Sequence, residues 1–591
     1  MSDTLSSLIL DFARRHARAY LLAGAMLAGV SLLTAWVPRI VGGSVDALVA
    51  GELSTADLAR RVALLLAMGV AIYLLRVGWR TRLYGAAQRL GVELRTRFYR
   101  ALAGHGPDFF QARRTGDLMA LATNDIDAIE MAAGEAFLAG FDGTLTLVIV
   151  IAMMSVGVDA RLAVLALLPF PLMAIGFWWI SRRVHDASHA SLDAFSRLNE
   201  QTQESLAGVR TVRALGLQSQ VHAEFSRRAA RAAATGFDAL RWESAYEPVV
   251  GLTMTAAMAI ALGVGGTMVA ARELTVGELT AFTMYLGQLI WPMFAMGWVL
   301  SLVERGRAAF GRLHPVLAET PGIRDDGTID TVVPGALEID DLSFAYPRRA
   351  APVLERVSVS IEPGRTLAIV GPTGAGKSTL VSLLLRQHEA SCGEIRLGGQ
   401  PLGAYRLDAL RRAIAWVPQE AFLFSASIAD NIALARPGAS RAQIEAAARL
   451  ADLDRDVAGF ADGYDTLVGE RGVTLSGGQR QRVAIARALI ADAPLLVLDD
   501  VLSAVDTATE ARILSHLRTS VRRTGAGARD DRRSIVIVGH RLSGIADADL
   551  IVVLSKGRIV ERGSHAQLLA RDGWYAAQWR YQQLEASLDG D

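Results

Sequence analysis

The sequence predicts a polytopic α-helical membrane domain fused to an α/β domain. Its 591 residues are too many for one hydrophobic core. Six nearly charge-free segments lie in the first half, each close to the ~20 residues that a membrane-spanning helix needs. From about Gly335 onward, short β-rich runs alternate with helical patterns, which favours an α/β domain with a largely parallel sheet.

The pattern places the membrane domain at residues 1–320, a linker at 321–335, the α/β domain at 336–572 and a C-terminal tail at 573–591. Arginines concentrate before the first span and in two long loops, 86–135 and 182–245, so these parts are expected in the cytoplasm. Apolar residues at helical spacing in the second loop favour helices that continue out of the membrane over a disordered basic loop. The predicted spans are Ala19–Pro38, Val62–Trp79, Ala136–Val158, Leu162–Ser181, Val249–Ala271 and Leu279–Val303.

Composition narrows the class of protein. Hydrophobic residues make up 51% of the chain and its net charge is +1, so no global field favours nucleic acid as a partner. The single cysteine, Cys392, excludes an internal disulfide framework and a Cys-rich metal site. Arginine supplies the positive charge except at Lys377 and Lys556. In such a chain, the lysine at 377 favours a position that needs a compact ammonium group rather than a planar guanidinium.

One segment of the α/β domain, GPTGAGKST, fits the phosphate-binding pattern G-x-x-x-x-G-K-[ST]. It lies between the strand-like run LAIV and the helical run TLVSLLL, as the pattern requires. The glycines allow main-chain N–H groups to surround phosphate, the lysine reaches the terminal phosphates and the serine hydroxyl ligates Mg²⁺. The expected nucleotide-binding residues are Gly371, Pro372, Thr373, Gly374, Ala375, Gly376, Lys377, Ser378 and Thr379.

Two further segments complete a nucleotide site. The apolar run Leu495–Leu498 ends in Asp499, which is expected to hold Mg²⁺. A lone aspartate after a strand is more often a cap or an ion-pair partner, but together with the P-loop it predicts a metal ligand. In LSGGQRQRVAIARAL (475–489), a serine and two glycines open a helical stretch and predict a second anion-binding helix start. One P-loop site does not need it, so it is expected to serve a nucleotide held by another subunit.

These segments together resemble the ATP-binding cassette superfamily. The order is P-loop, Gln419 in VPQE, LSGGQ, LVLDD, SAVD and His540 in GHRLS. Six spans ahead of one cassette resemble a half-size exporter with a type IV transmembrane fold. More narrowly, DDVLSAVDTATE and the tail GWYAAQWRYQQLEASLD resemble the A-type subunits of the Mdl multidrug-resistance-like heterodimeric exporters. The resemblance implies ATP and Mg²⁺ as cofactors and a multi-pass protein of the bacterial inner membrane whose N-terminus and cassette are cytoplasmic.

The resemblance also implies a role for each motif. Tyr346 would stack on adenine, and Gln419 would contact Mg²⁺, sense the attacking water and relay to the membrane loops. His540 would hold the γ-phosphate and order the water, and Asp506 would contact the partner near its P-loop. The signature residues expected to close over the partner's ATP are Ser476, Gly477, Gly478 and Gln479. The residues expected to couple the cassette to the spans are Gly116, Asp117, Gly208, Val209 and Glu470.

The residue after the Mg²⁺ ligand departs from the family pattern. That position usually holds a glutamate that polarises the attacking water, whereas here it is Asp500, whose carboxylate is one methylene shorter. A misplacement on the order of 1 Å can cost about 100-fold in rate, so this chain's own ATP site is expected to be slow. A heterodimer with one slow and one competent site is the economical reading. One alternative is a homodimer with two slow sites. Another is that a local backbone shift lets Asp500 work normally.

The implied function is ATP-driven export by alternating access, with a second half-exporter as partner and membrane lipids around the spans. Met and aromatic residues between Met284 and Trp298 in the last span suit small amphipathic substrates, although helix packing explains each of them equally well. Rival functions are a homodimeric lipid flippase, an exporter-fold importer, and an ATP-gated switch or channel that does not pump. The intact LSGGQ and His540 argue against the switch, and six spans exclude a soluble nucleic-acid-handling cassette.

Overall fold

The computed structural model describes residues 4–347, 351–469, 472, 474–501, 507–523 and 533–588. These residues form two compact units. One unit comprises the described residues up to Ala103 together with Arg113–Glu319, and the other comprises Gly104–Ala112 together with the described residues from Thr320 onward. The short segment 104–112 therefore groups with the C-terminal half of the chain, although it lies between two helices of the N-terminal half.

The N-terminal unit is helical. Six of its helical segments are long and apolar enough to cross a membrane, which confirms the predicted six-span domain: Ala17–Val49, Thr55–Gly104, Thr115–Ser155, Ala160–Ala207, Gln218–Ala270 and Val276–Ala318. The α-helices in chain order, with α4 in the other unit, are α1 Leu5–Arg15, α2 Ala17–Val49, α3 Thr55–Gly104, α4 Pro107–Ala112, α5 Thr115–Ala120, α6 Ile126–Met131, α7 Phe137–Ser155, α8 Ala160–Leu167, α9 Phe170–Ala207, α10 Val209–Ala214, α11 Gln218–Ser244, α12 Tyr246–Ala270, α13 Val276–Gln288 and α14 Ile290–Ala318. Single π-helical turns, 121–125 and 132–136, join α5, α6 and α7.

Several of these helices are much longer than a bilayer requires. With 50 residues, α3 extends over about 75 Å at a rise of about 1.5 Å per residue, more than twice the ~30 Å thickness of the hydrocarbon core. Helix α9 likewise continues from apolar sequence into the basic stretch 182–245, and this stretch also contains α10 and α11. The predicted helical extensions are thus present, and the alternative of a disordered basic loop is not what this stretch forms.

Helices α2 and α13 pack closely at a pair of glycines. A Cβ at Gly277 would collide with the carbonyl oxygen of Gly42 and with the carboxyl group of Asp46. The Asp46 carboxylate accepts hydrogen bonds from the Gly277 N–H at 2.6 Å and from the Thr275 hydroxyl at 2.7 Å. Thr275 is also the N-cap of α13 and forms a capping box with Glu278. Glycine at 277 therefore permits a contact that joins the second helix of the unit to its last span.

The C-terminal unit contains the strands. They are β1 Leu337–Phe344, β2 Leu354–Ile361, β3 Thr366–Val370, β4 Cys392–Leu397, β5 Gln400–Pro401, β6 Ile414–Val417, β7 Leu495–Asp499, β8 Ser534–Val538, β9 Leu550–Ser555 and β10 Arg558–Gly563. The α-helices among them are α15 Lys377–Leu384, α16 Leu407–Ala413, α17 Ile428–Ala433, α18 Arg441–Leu450, α19 Asp454–Val457, α20 Gly477–Ile490, α21 Thr507–Arg523, α22 His565–Ala570 and α23 Trp574–Leu588.

The larger sheet is mostly parallel, as predicted, in the order β10-β9-β3-β8-β7-β6 with β10 antiparallel to β9. Its central strands are buried on both faces. In β3, Leu367 and Ile369 pack into one hydrophobic core while Ala368 and Val370 pack into the other. This burial explains the continuous apolar runs in the sequence. A second, antiparallel sheet in the order β2-β1-β4-β5 was not predicted.

Candidate nucleotide-binding site

Four neighbouring parallel strands end at the candidate site. Strand β3 leads into the P-loop, β8 into His540, β7 into the aspartate pair and β6 into Gln419. Ligands of open α/β sheets bind outside the carboxyl ends of such strands. A pocket of about 270 Å³ lies there, and it brings together most of the residues predicted for the chain's own nucleotide site. Its lining residues are Tyr346, Val353, Thr373, Gly374, Ala375, Gly376, Lys377, Ser378, Thr379, Gln419, Asp499, Asp500, Val538 and His540.

The P-loop conformation requires glycine at two positions. Gly371 has a φ of 148°, and a Cβ there would collide with the carbonyl oxygen of Leu554. Gly376 has a φ of 103°, and a Cβ there would lie 2.8 Å from a methyl carbon of Leu354. Gly376 is also the N-cap of α15, so the chain turns directly from the loop into a helix whose first N–H groups border the pocket. The main chain thus has the tight turn and the helix start on which the predicted phosphate binding depends.

Lys377 is held in place by main-chain oxygens. Its Nζ donates hydrogen bonds to the carbonyl oxygens of Gly371 at 2.8 Å and of Pro372 at 3.1 Å. Burial lowers the pKa of the Lys377 ammonium, while the nearby carboxylates of Asp500 and Asp499 act to raise it. A buried ammonium with two neutral partners is only partly compensated, so an anionic ligand in the pocket would improve its environment.

Asp499 is the last residue of β7 and is buried. Burial, followed by the charge of Asp500, raises the pKa of the Asp499 carboxyl above its usual range, and the Ser378 hydroxyl and Lys377 act against this rise. The Ser378 Oγ lies 3.5 Å from Asp499 Oδ1. Hydroxyl and carboxylate oxygens are ligands that Mg²⁺ prefers, and a cation between them would favour the charged carboxylate. The two residues therefore fit the predicted magnesium site.

Asp500 adopts a left-handed main-chain conformation with a φ of 49°, which aspartate tolerates better than most residues do. Its N–H donates to the carbonyl oxygen of Val538 at 2.8 Å, which joins the end of β7 to the end of β8. Its carboxylate accepts a hydrogen bond from Gln419 Nε2 at 3.3 Å. The structure thus brings the shortened side chain into contact with the glutamine that the sequence assigns to the same site.

Tyr346 borders the pocket and is tied to the P-loop helix by a hydrogen bond of 3.1 Å between its hydroxyl and that of Thr379. Its ring meets Phe344 and the buried His388 edge to face, with centroid distances of 4.9 Å and 5.4 Å. The Nδ1 of His388 lies 3.1 Å from Oδ2 of Asp108 in α4. A chain of contacts therefore leads from α4 to the tyrosine expected to stack on adenine.

The signature segment forms a helix start, as predicted, but it lies outside this pocket. Ser476 is the N-cap of α20, and its hydroxyl accepts from the Gln479 N–H at 3.2 Å while the Gln479 side chain accepts from the Ser476 N–H at 2.9 Å. Gly477 and Gly478 are the first two helical residues. Gln479 Nε2 also donates to Asp456 at 3.1 Å. This capping box stabilises the N-terminus of α20, and its residues do not line the pocket of the chain's own P-loop.

The predicted coupling residues belong to short helices. Gly116 and Asp117 lie in α5, and Gly208 and Val209 lie at the junction of α9 and α10. None of these four residues lines the nucleotide pocket. Glu470, the D-loop Asp506 and most of the segment 524–533 lie outside the described residues. The short helix α4, which precedes α5, groups with the C-terminal unit. The coupling role of Gly116, Asp117, Gly208 and Val209 stays a prediction.

Sequence reasoning missed three residues around the site. Gln582 in α23 donates to the carbonyl oxygen of His540 at 2.7 Å and accepts from the N–H of Leu542 at 2.8 Å. His388 and Asp108 form the contact described above. All three join residues that are far apart in the chain, so no local spacing signals them. The aromatic residues of the tail are the sequence feature that indicates packing, and Trp574, Tyr575 and Trp579 of α23 do pack on the core of the domain.

Two family models match the chain. The model described as "ABC transporter transmembrane region" matches residues 20–293, and the model described as "ABC transporter" matches residues 354–503. The first match covers the helical unit up to the last span. The second covers the P-loop, Gln419, the signature and the aspartate pair.

Curated relatives match over nearly the whole length. The "Multidrug resistance-like ATP-binding protein MdlA" of Escherichia coli (strain K12) is 42% identical over 576 residues, which covers 98% of this chain and 96% of the relative. The "Probable multidrug resistance ABC transporter ATP-binding/permease protein YheI" of Bacillus subtilis (strain 168) is 35% identical, with 97% and 96% covered. An "ATP-dependent lipid A-core flippase" of Nitrosococcus oceani is 34% identical, with 84% and 82% covered.

A solved structure has the same fold. The structure of a bacterial Atm1-family ABC exporter with ATP bound aligns with a TM-score of 0.80 at 30% sequence identity. The alignment covers 96% of this chain and 99% of the exporter chain. The similarity thus extends over both units of the fold.

Proposed function

This chain belongs to the ABC transporter family as a half-size exporter, and we propose that it exports amphipathic, multidrug-like or lipid-like substrates as the degenerate-site half of a heterodimer. Membership already implies a multi-pass membrane protein that binds ATP and couples its hydrolysis to transport. The proposal adds the partner, the unequal ATP sites and the place: a bacterial inner membrane, with the N-terminus and the cassette in the cytoplasm. The Arg-rich loops support this orientation.

One observation carries the proposal of a slow site. The P-loop, Asp499, Gln419 and His540 meet around one pocket, so the parts that bind a nucleotide are complete. The residue placed to act on the attacking water is Asp500, whose carboxylate is already engaged by Gln419 and is one methylene shorter than a glutamate. Binding should therefore be preserved while hydrolysis is slowed, by about 100-fold if the misplacement is on the order of 1 Å.

In the proposed cycle, Lys377 and the N–H groups at the start of α15 hold the phosphates, and Tyr346 holds the adenine. Ser378 and Asp499 would hold Mg²⁺, and Gln419 would be a further ligand. Mg²⁺ bound there would neutralise charge on the β- and γ-phosphates. His540 holds the γ-phosphate, and the start of α20 closes over the ATP of the partner. Closure of the two cassettes moves the helices from an inward-facing to an outward-facing arrangement. Hydrolysis at the competent site, which combines the partner's P-loop with the start of α20, resets the dimer.

The test is to purify the chain under mild conditions from its native host and identify what co-purifies in stoichiometric amount. A second half-exporter with glutamate at the position of Asp500 is the expected result. Recovery of this chain alone as a dimer would refute the heterodimer. ATP-dependent transport is then measured with the purified complex in proteoliposomes, using a fluorescent amphipathic cation and a fluorescent lipid. Accumulation on the side away from the cassettes supports export, accumulation on the opposite side supports an importer, and ATP turnover without movement of either supports a switch.

A further inference from the structure

A carboxylate within the membrane domain has no cationic partner among the residues that the structure describes. Asp142 belongs to α7, in a helical segment long and apolar enough to cross a membrane. Among the side chains that the structure describes, no Arg, Lys or His nitrogen lies within 4.0 Å of its carboxylate. An ionisable residue at such a position is costly and normally has a partner or a function.

Neutral donors from two other helices hold this carboxylate in place. The Ser31 hydroxyl of α2, shared with the Leu27 carbonyl oxygen at 3.1 Å, lies 3.3 Å from Oδ1. The Trp291 Nε1 of α14 donates to Oδ2 at 3.1 Å. Thr146, one turn further along α7, donates to the same Ser31 oxygen at 3.4 Å. Ser31 is only 4% exposed. Three spans therefore converge on Asp142, and each of its oxygens accepts one hydrogen bond from the described residues.

Helices α7 and α14 pack closely beside this contact. A Cβ at Gly143 would lie 3.2 Å from the Cβ of Ala295, which is tighter than ordinary van der Waals contact. Gly143 thus lets the helices approach where Asp142 meets Trp291. The Trp291 side chain is nevertheless 48% exposed, and Asp142 is partly exposed. Both groups can be reached by a molecule outside the helix bundle.

Two further polar side chains, Gln288 and Thr34, lie close in sequence to Trp291 and Ser31. Gln288, three residues before Trp291, donates from Nε2 to the carbonyl oxygen of Thr34 at 3.1 Å. Gln288 Oε1 and Thr34 Oγ1 are buried and have no hydrogen-bond partner among the described residues. Buried polar atoms normally have partners, and a missing partner requires an explanation. A ligand that brings a polar or charged group to this region would supply one.

We propose that Asp142 and Trp291 form the anchor for the cationic group of an amphipathic substrate. The carboxylate supplies the missing charge partner, and the indole face, fixed by its hydrogen bond to Asp142, supplies a cation–π contact. Desolvated contacts of both kinds favour a large, weakly hydrated cation over a neutral or anionic molecule of the same size. The site deepens the export proposal above and rests on it for its role in transport.

The test uses the purified complex in lipid nanodiscs without nucleotide. Binding of radiolabelled tetraphenylphosphonium is measured by equilibrium dialysis, with empty nanodiscs subtracted. Asp142→Asn removes the charge but keeps the shape, and we expect it to raise the Kd at least about tenfold, which corresponds to about 1.4 kcal/mol. Asp142→Glu should retain most of the affinity. Glu247→Gln, the same chemical change at an exposed carboxylate in α12, should leave the Kd unchanged.

Tetraphenylborate, an anion of nearly the same size, serves as the second probe. Asp142→Asn should not weaken its binding, since the anchor repels it. Unchanged tetraphenylphosphonium affinity in Asp142→Asn would overturn the site, and so would the absence of saturable binding to the wild type. Trp291→Phe, which removes only the N–H donor and part of the ring, gives a second variant if Asp142→Asn fails to fold, and it should weaken cation binding several-fold.

This readout separates the site from transport. Cation binding that depends on Asp142 in a complex without ATP-dependent efflux would leave the site standing and refute export. Efflux of the cation with unchanged affinity in Asp142→Asn would leave export standing and refute the site.

Discussion

The side-chain amide of Gln582 donates a hydrogen bond of 2.7 Å to the main-chain carbonyl of His540. The same amide accepts the N–H of Leu542 at 2.8 Å, so one side chain fixes the main chain on both sides of Arg541. His540 itself is exposed towards the nucleotide pocket. The C-terminal helix α23 therefore holds the loop that presents the histidine, and Gln582 is a positioning residue.

Gln582→Ala should slow hydrolysis at this chain's own ATP site, by about tenfold if His540 shifts by a fraction of 1 Å. The apparent affinity of this site for ATP should change little, because Gln582 lies outside the pocket lining. Hydrolysis at this site is followed by the loss of the γ-phosphate from this chain after the complex is photolabelled with 8-azido-ATP, since the competent site dominates steady-state turnover. The matched control is Gln583→Ala, since Gln583 is exposed and follows directly in the same helix. Equal rates of γ-phosphate loss in both variants, or a change confined to ATP affinity, would argue against the positioning role.

The role of Lys377 in the P-loop can be tested with the same substitution at Lys556 as the control. Lys377→Arg replaces a buried ammonium, held by the Gly371 and Pro372 carbonyls, with a larger planar group. We expect ATP binding to weaken by about tenfold to 100-fold, the range that corresponds to about 1.5–3 kcal/mol for a charged hydrogen bond. Lys556→Arg, at an exposed turn, should have no effect. Titration with a fluorescent ATP analogue measures both, and equal affinities would contradict the assigned role.

Tyr346 separates stacking from hydrogen bonding. Tyr346→Ala should weaken nucleotide binding by about tenfold or more, because a base stacked on an aromatic ring gains about 1–3 kcal/mol. Tyr346→Phe keeps the ring and loses only the hydroxyl contact with Thr379, so it should retain nearly wild-type affinity. The same titration with ADP and ATP makes the measurement. If the phenylalanine variant binds as poorly as the alanine variant, the ring is not what binds the adenine.

The glycine contact between α2 and α13 gives a prediction for stability. Gly277→Ala should destabilise the membrane domain by about 1–3 kcal/mol, because its methyl group meets the Gly42 carbonyl and Asp46. Gly287→Ala, in the same helix but with no atom within 4 Å of the added methyl, is the control and should be neutral or stabilising. Thermal unfolding midpoints in detergent compare the two. Equal midpoints would show that the helices adjust without cost.

The sequence predicts those parts of the fold that local physics dictates. A bilayer demands long apolar helices, so hydropathy alone locates the six spans. The P-loop, the buried strand before Asp499 and the capped start of α20 are likewise encoded in short continuous segments. The antiparallel sheet is different, because β1 pairs both with β2 and with β4, about 50 residues further along the chain. The alternation of apolar and polar residues within a strand does not determine which strand it pairs with.

Local sequence likewise predicts only part of the nucleotide site. Motif spacing assigned the residues that border the pocket, because strand ends and helix starts place them. Gln582 and His388 act through partners 42 and 280 residues away, and no spacing encodes such pairs. Asp500 lies between these cases. Its identity is local, but its left-handed main chain and its contact with Gln419 are set by β8 and by the loop after β6.

The most direct test of the slow site measures how long this chain retains the γ-phosphate of its bound ATP. The purified complex is photolabelled with 8-azido-ATP carrying ³²P at either the α- or the γ-position, and this chain is separated after increasing times of turnover. We predict that the wild-type chain keeps its γ-label about 100-fold longer than the Asp500→Glu variant, which regains the longer carboxylate. Loss of the γ-label at equal rates in both would contradict the claim that Asp500 makes this site slow.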